Sequence, residues 1–335
     1  MAISHLIAHR LQRNVPSTGA VLQLRDDELP RDGKIEECAR ELKLSYVKKL
    51  GKIHGRFSSD AAAHPLSSWI NECLDEKLSF VSLTKKAMQH LKSEIDKTEA
   101  PIDAYVFFVQ ENFEHSDELY IYFVQNNAGQ YLDGDLEISD CIYLDTHSIN
   151  LAAKLNLREW QDDDSQLTYL GVLPWRGEKE ISDAFVDFVG FTDKADVKVD
   201  TEAFLEAVEN YTKDQPEEIA VETREKVVNY CLEQDKAGKR VVIADLSHEI
   251  NPEKKEAFKK HVSDYKPQLK AELIPDRAQL RQFIRISGRD ELLSMSFDSK
   301  CLGQSIVYDS ETDALVIKKI PSALKSRLLK HLKNG

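Results

Sequence analysis

Apolar and polar positions alternate in short runs through the first half of the chain. Residues 3–11 and 20–24 read as strands around a polar turn. Segments 104–110, 119–124, 138–144, 149–155 and 167–173 read the same way, with turns at 126–129 and 133–134. Their near-regular spacing predicts an antiparallel meander. Helical spacing appears at 34–50, where Ile35, Cys38, Ala39, Leu42, Tyr46 and Leu50 share a face and Gly51 supplies a stop. Two amphipathic helices are expected at 66–80 and 83–95. Residues 51–65 read as a loop, with Lys52, His54 and Arg56 set among glycines as a possible phosphate contact. The pattern predicts an α+β domain with its helices on one side of a mainly antiparallel sheet.

Beyond residue 177 the period becomes helical. Helices are expected at 181–189, at 202–211 and from Pro216 onward, with 191–199 as a connector. This places a boundary near 195. Residues 1–195 form an acidic domain for interaction or self-association, and 196–335 a smaller domain of helices and strands. Within the latter, 225–234 is helical, 240–243 is a short strand and 245–250 a short helix. Asn251-Pro252 then opens a helix to about 262. Helix, strand, helix, turn, helix is the order of a winged helix-turn-helix, here within 219–264. Ala257, Phe258, His261 and Val262 would face inward; Lys254, Lys255, Lys259 and Lys260 would face out.

The C-terminal pattern returns to strands. Residues 283–287 and 293–297 alternate, and 305–308 and 314–317 flank a turn-forming cluster, which predicts a hairpin. Pro321 opens a last helix whose apolar members are expected to pack on the sheet.

Charge changes this picture. The 335 residues carry a net −13, which argues against non-specific DNA binding by the whole surface. From residue 252 onward, however, 17 Lys and Arg face 11 Asp and Glu, against 28 and 47 before it. That asymmetry points to an anionic partner on one side only. The candidate DNA contacts are Lys254, Lys255, Lys259, Lys260, Lys266, Lys270, Arg281, Arg285, Lys318, Lys319, Lys325, Arg327 and Lys330. Most are lysines, point charges suited to phosphate rather than to base edges.

Signatures of catalysis are missing. Asp133, Asp135 and Glu137 resemble the start of a calcium loop, but its twelfth position is Leu144. Asp162, Asp163 and Asp164 fail likewise at Leu173. His248-Glu249 meets Pro252 where a zinc-binding helix needs its next histidine, and Gly238-Lys239 lacks the earlier glycine of a phosphate loop. No cofactor is expected. The five cysteines have no CxxC spacing and read as free thiols. The start of the chain lacks a secretory pattern, and no apolar run is long enough for a bilayer, so a cytoplasmic protein without a membrane partner is expected.

An ordered series of short segments resembles a known family. Tyr143-Leu144-Asp145, Leu157-Arg158-Glu159-Trp160 and Phe185-Val186-Asp187-Phe188-Val189-Gly190 are similar to nucleoid-associated proteins of the YejK/NdpA type. So are Ser296-Phe297-Asp298, Leu302-Gly303, Tyr308-Asp309 and Leu315-Val316-Ile317-Lys318. Pro174-Trp175-Arg176-Gly177 departs from the family's Lys-Gly-Arg step, which puts a phosphate role for that loop in doubt. The resemblance implies a bacterial, nucleoid-located protein without enzyme activity. Double-stranded DNA, bound without sequence preference, is the expected partner. A route through a DNA-bound protein such as a topoisomerase is the alternative. A homodimer is the default assembly.

Overall fold

The computed structural model describes residues 2–14, 18–112, 117–162, 168–289 and 291–333. Asp163 and Asp164, the end of one failed calcium loop, lie outside them. The chain divides into two compact units, Met1–Ala195 and Asp196–Gly335. Its fold class is α+β, with mainly antiparallel strands.

The first unit begins with β1 (Ala2–Arg13), β2 (Val21–Gln23), α1 (Gly33–Lys48), β3 (Ile53–Phe57), α2 (Leu66–Leu74) and α3 (Phe80–Ile95). It continues with β4 (Ile102–Asn112), β5 (Asp117–Val124), β6 (Asn126–Leu132), β7 (Ile138–Leu144), β8 (Leu151–Asn156) and α4 (Leu157–Gln161). It ends with β9 (Leu170–Leu173), α5 (Lys179–Val189) and β10 (Phe191–Thr192). Eight strands form one antiparallel sheet in the order β10-β3-β9-β8-β5-β4-β1-β2.

Helices cover both faces of this sheet, not one. Leu119, Ile121 and Phe123 of β5 pack into a core with α2, α3 and α5, around Leu91, Phe185 and Phe188. Tyr120, Tyr122 and Val124 point the other way, into a core with Leu42 and Tyr46 of α1. A strand apolar at every position is the signature of burial on both sides.

Two further expectations fail here. The basic loop is β3, because Ile53, Gly55 and Phe57 alternate toward the sheet. Gly55 is required: a Cβ there would meet the Thr192 carbonyl oxygen at 2.4 Å. The presumed turn at 126–129 is the first half of β6, which pairs only with β7 and stands apart from the main sheet.

The second unit holds α6 (Val197–Thr212), α7 (Glu217–Lys236), β11 (Val241–Val242), α8 (Ile243–Ile250), α9 (Ala257–Tyr265), β12 (Glu272–Leu273) and α10 (Arg277–Phe283). Helix α6 takes up part of the expected connector. Phe204, Val208, Val227, Cys231, Leu246 and Phe258 centre its core, and β11 pairs with β12 beside α8 and α9. Then come β13 (Arg285–Arg289), β14 (Ser294–Asp298), β15 (Ile306–Asp309), β16 (Ala314–Ile317) and α11 (Ser322–Lys333). These strands make two separate two-stranded hairpins. Helix α11 does not pack on them: all of its described side chains are exposed. No described helix is long and apolar enough to cross a membrane.

Candidate nucleic-acid interface

The basic residues of β3 and its flank serve the fold. Lys52 donates to the Tyr46 carbonyl at 3.1 Å and the Val47 carbonyl at 3.2 Å, closing the open end of α1. Arg56 pairs with Asp193. Neither is offered to a phosphate. Deeper in the same unit, Glu118 accepts from Lys154 at 2.6 Å, Lys43 at 3.2 Å and the Tyr120 hydroxyl at 2.6 Å. Burial pushes the Glu118 carboxyl up, but the two lysines outweigh it and hold the group below the usual range. Glu111, which pairs with Lys43, is pushed up by burial instead.

In the second unit the thirteen candidate cations separate by partner. Lys266 donates to Glu206 of α6 at 2.6 Å, and that bond raises the lysine's pKa. Lys270 donates to Asp200 at 3.1 Å, and Lys259 pairs with Glu256 at 2.9 Å. Arg285 binds Ser296 across β13 and β14, through its hydroxyl and its carbonyl, both at 2.9 Å. Glu206 also lines a groove of about 450 Å³ with Glu202, Glu209 and Gln279. Its carboxylates repel phosphate.

Lys254, Lys255, Lys260, Arg281, Lys318, Lys319, Lys325, Arg327 and Lys330 are all exposed. Among the described residues, none of the nine has a carboxylate within salt-bridge distance.

These nine lie in different settings, Arg281 among them on α10. Lys254 and Lys255 sit in a turn, not on the helix expected from Pro252. Asn251 Oδ1 accepts from the Glu253 and Lys254 amides at 3.0 Å, and this turn delays the helix to Ala257. Phe258 and Val262 of α9 are buried, with Ala257 and His261 half-buried beside them. The outward face carries Lys259 and Lys260 but also Asp264, with Glu256 just before the helix. Its charge is mixed. The final segment is different: residues 314–335 hold six Lys and Arg and no Asp or Glu. Basic character is therefore a property of the chain's end. The unit from residue 196 as a whole carries 24 Lys and Arg against 25 Asp and Glu, because α6 and α7 are acidic.

The neutralised lysines carry no local mark in the sequence: Lys266 and Lys270 follow the end of α9, and their acids, Glu206 and Asp200, lie on α6. Nothing at short range indicates that pairing, which joins residues 60 and 70 positions apart.

A protein-family model described as nucleoid-associated protein YejK matches residues 7–325. A nucleoid-associated protein of Pseudomonas entomophila (strain L48) is 32% identical over 330 residues, covering 98% of both chains. One from Azotobacter vinelandii (strain DJ / ATCC BAA-1303) is 32% identical over 337 residues, covering all of both. A third, from Pseudomonas putida (strain GB-1), is 31% identical over 330 residues.

Proposed function

Because the chain belongs to the nucleoid-associated protein YejK family, we propose that it is a non-enzymatic protein of the bacterial cytoplasm that binds duplex DNA at the nucleoid. It does so through phosphate contacts of the 196–335 region and without base selection. One observation carries the reading: nine candidate cations are exposed without a carboxylate partner, and five of them fall in the acid-free end of the chain. Lysines of the helix-turn-helix-like part, 219–264, add to the contact. The mixed charge of α9 favours backbone contact there over base reading. The protein works as a pair of copies, which gives it two DNA sites.

Titration of a labelled duplex against salt tests this. About six phosphate contacts predict a log–log slope near −5, the same for unrelated DNA sequences. A flat salt dependence overturns direct contact.

A second reading has one observation in its favour. The first unit carries 33 Asp and Glu against 21 Lys and Arg, suited to a basic protein already on DNA, such as a topoisomerase. Partners retained in a pull-down after nuclease treatment favour this adaptor role; their loss favours direct binding.

A further inference from the structure

Between two neighbouring strands of the main sheet the chain makes an excursion that the sheet does not need. Strands β5 and β8 pair directly and antiparallel, from Glu118 with Asn156 to Phe123 with Leu151, and a short turn would join them. The chain instead inserts β6 and β7, which pair only with each other. Their register places Leu132 opposite Ile138 and Ala128 opposite Ile142, all on one face. Leu132, Ile138 and Ile142 are 63%, 70% and 76% exposed. At the tip Leu136, at φ +62°, is 78% exposed. A two-stranded hairpin is marginal in water unless something covers its apolar face. A bare apolar patch with a polar rim marks an interaction surface.

The charge of the hairpin is one-sided. Residues 98–153 contain no Lys or Arg. Asp133 is spent on the turn: its Oδ1 accepts from the Asp135 and Glu137 amides at 3.0 and 3.1 Å, and its Oδ2 from the Ser139 hydroxyl at 3.0 Å. Asp145 likewise holds the His147 and Ser148 amides, both at 3.1 Å. Asp135, Glu137 and Asp140 are exposed and, among the described residues, pair with no cation. Asp140 stands on the apolar face itself, between Ile138 and Ile142 of β7, and accepts from Gln130 at 3.3 Å. A carboxylate has room for further donors. Along β7 the face therefore runs aliphatic, acid, aliphatic.

This pattern selects among occupants. Nucleic acid and anionic bilayers are repelled by the free carboxylates. The same hairpin from another copy would set acid against acid. A neutral apolar segment would bury the Asp140 carboxylate with no opposite charge, which is unfavourable. A segment that is both aliphatic and cationic covers the apolar residues and neutralises the acids together.

We infer that the face of the β6–β7 hairpin is the docking surface for a basic segment of a different protein, one that presents aliphatic side chains on either side of a Lys or Arg. The aliphatic groups lie on Leu132, Ile138 and Ile142, the cation between them reaches Asp140, and further cations meet Asp135 and Glu137 at the tip. The inference deepens the adaptor reading and rests on it for a basic partner being bound. It uses none of the cations assigned to DNA, so the two contacts do not compete for side chains.

Fluorescence anisotropy with the full chain tests it. The probe is a labelled synthetic peptide of leucines at helical spacing with lysines between them. Versions with serine for every leucine, or glutamate for every lysine, should bind at least about tenfold more weakly. Asp135→Lys with Asp140→Lys should weaken the leucine–lysine peptide as much and strengthen the leucine–glutamate one, an exchange that a hairpin failing to fold could not give. Replacing residues 128–142 with a short Gly-Ser turn leaves β5 and β8 joined and should abolish binding of both. Glu202→Gln with Glu209→Gln, in the acidic groove of the second unit, should change nothing. Binding that survives loss of the hairpin, or that falls only in the groove variant, overturns the inference. So does sedimentation velocity in which the hairpin variants change self-association, because the face then belongs to a second copy. Pull-downs after nuclease treatment separate the two failures. Partners held equally with and without the hairpin overturn this surface and leave the adaptor reading standing; a wild type that holds none overturns both.

Discussion

Two regions of this protein concentrate charge and use it in opposite ways. At Glu118 two lysines and a tyrosine hydroxyl converge on one buried carboxylate. Along the last helix Lys325, Arg327 and Lys330 stand exposed with no carboxylate in the segment. The first arrangement is consumed by folding: every donor has its acceptor, and the sheet and α1 are tied together through Lys43. The second has nothing to do within the described structure, so its electrostatic free energy is available to a partner. The lesson is that a count of basic residues does not locate an anion-binding surface. Lys266 and Lys270 show this, since their count is cancelled by Glu206 and Asp200.

The comparison breaks if either region behaves like the other. The largest effect is expected at the buried cluster. Glu118→Ala removes the carboxylate that Lys154, Lys43 and the Tyr120 hydroxyl share, while Lys43 keeps Glu111, and should cost about 3 kcal/mol, read from the urea unfolding midpoint. DNA affinity of the folded variant should not change. The reverse pattern is expected at the end of the chain. Replacing Lys318, Lys319, Lys325, Arg327 and Lys330 with Gln should reduce DNA affinity on the order of a hundredfold near 0.1 M salt and flatten the salt slope by about 4. Its unfolding midpoint should stay in place.

An intermediate effect comes from His9. The ring accepts from the Arg25 amide through Nδ1 and bonds Thr84 Oγ1 through Nε2, so it is held neutral. Burial, then the nearby Lys85 and Arg25, lower its pKa from 6.5 to about 4. Between those values the unfolded chain takes up a proton that the folded one refuses. Stability should therefore fall as pH drops from 6.5 toward 4, with no contribution from this group above that window. Urea midpoints across the window measure the slope, which should shrink in His9→Gln.

The smallest effect sharpens the comparison within the second unit. Lys266→Gln with Lys270→Gln removes cations that already have carboxylate partners. DNA affinity should change by less than about twofold and the salt slope by less than about one contact. A loss as large as that of the C-terminal variant would show that Glu206 and Asp200 release their lysines to DNA.

Much of the fold is legible along the chain. Gly190 sits at φ +71° as the C-terminal cap of α5, at the stop its pattern predicts. The hairpin of β15 and β16 follows from its turn cluster. The continuous run of β5 also carried the sign that both faces of the sheet are covered, although alternation in its neighbours obscured it. Other features were not legible. The strand β3 looks like a basic loop, because Lys52 and Arg56 find their partners on α1 and at Asp193. Half of β6 has the composition of a turn and becomes a strand only because β7 pairs with it in full register.

What the chain determined by itself is local: periodicity, caps, turns and the accumulation of positive charge toward its end. Those depend on neighbours a few residues apart, and their physics is complete at that range. Only the tertiary structure decided which charges remain available and which apolar faces remain bare. A lysine is spent or free according to a carboxylate that can lie 60 positions away, as Glu206 does from Lys266. A leucine stripe is core or surface according to whether another element arrives to cover it, and on α11 none does among the described residues.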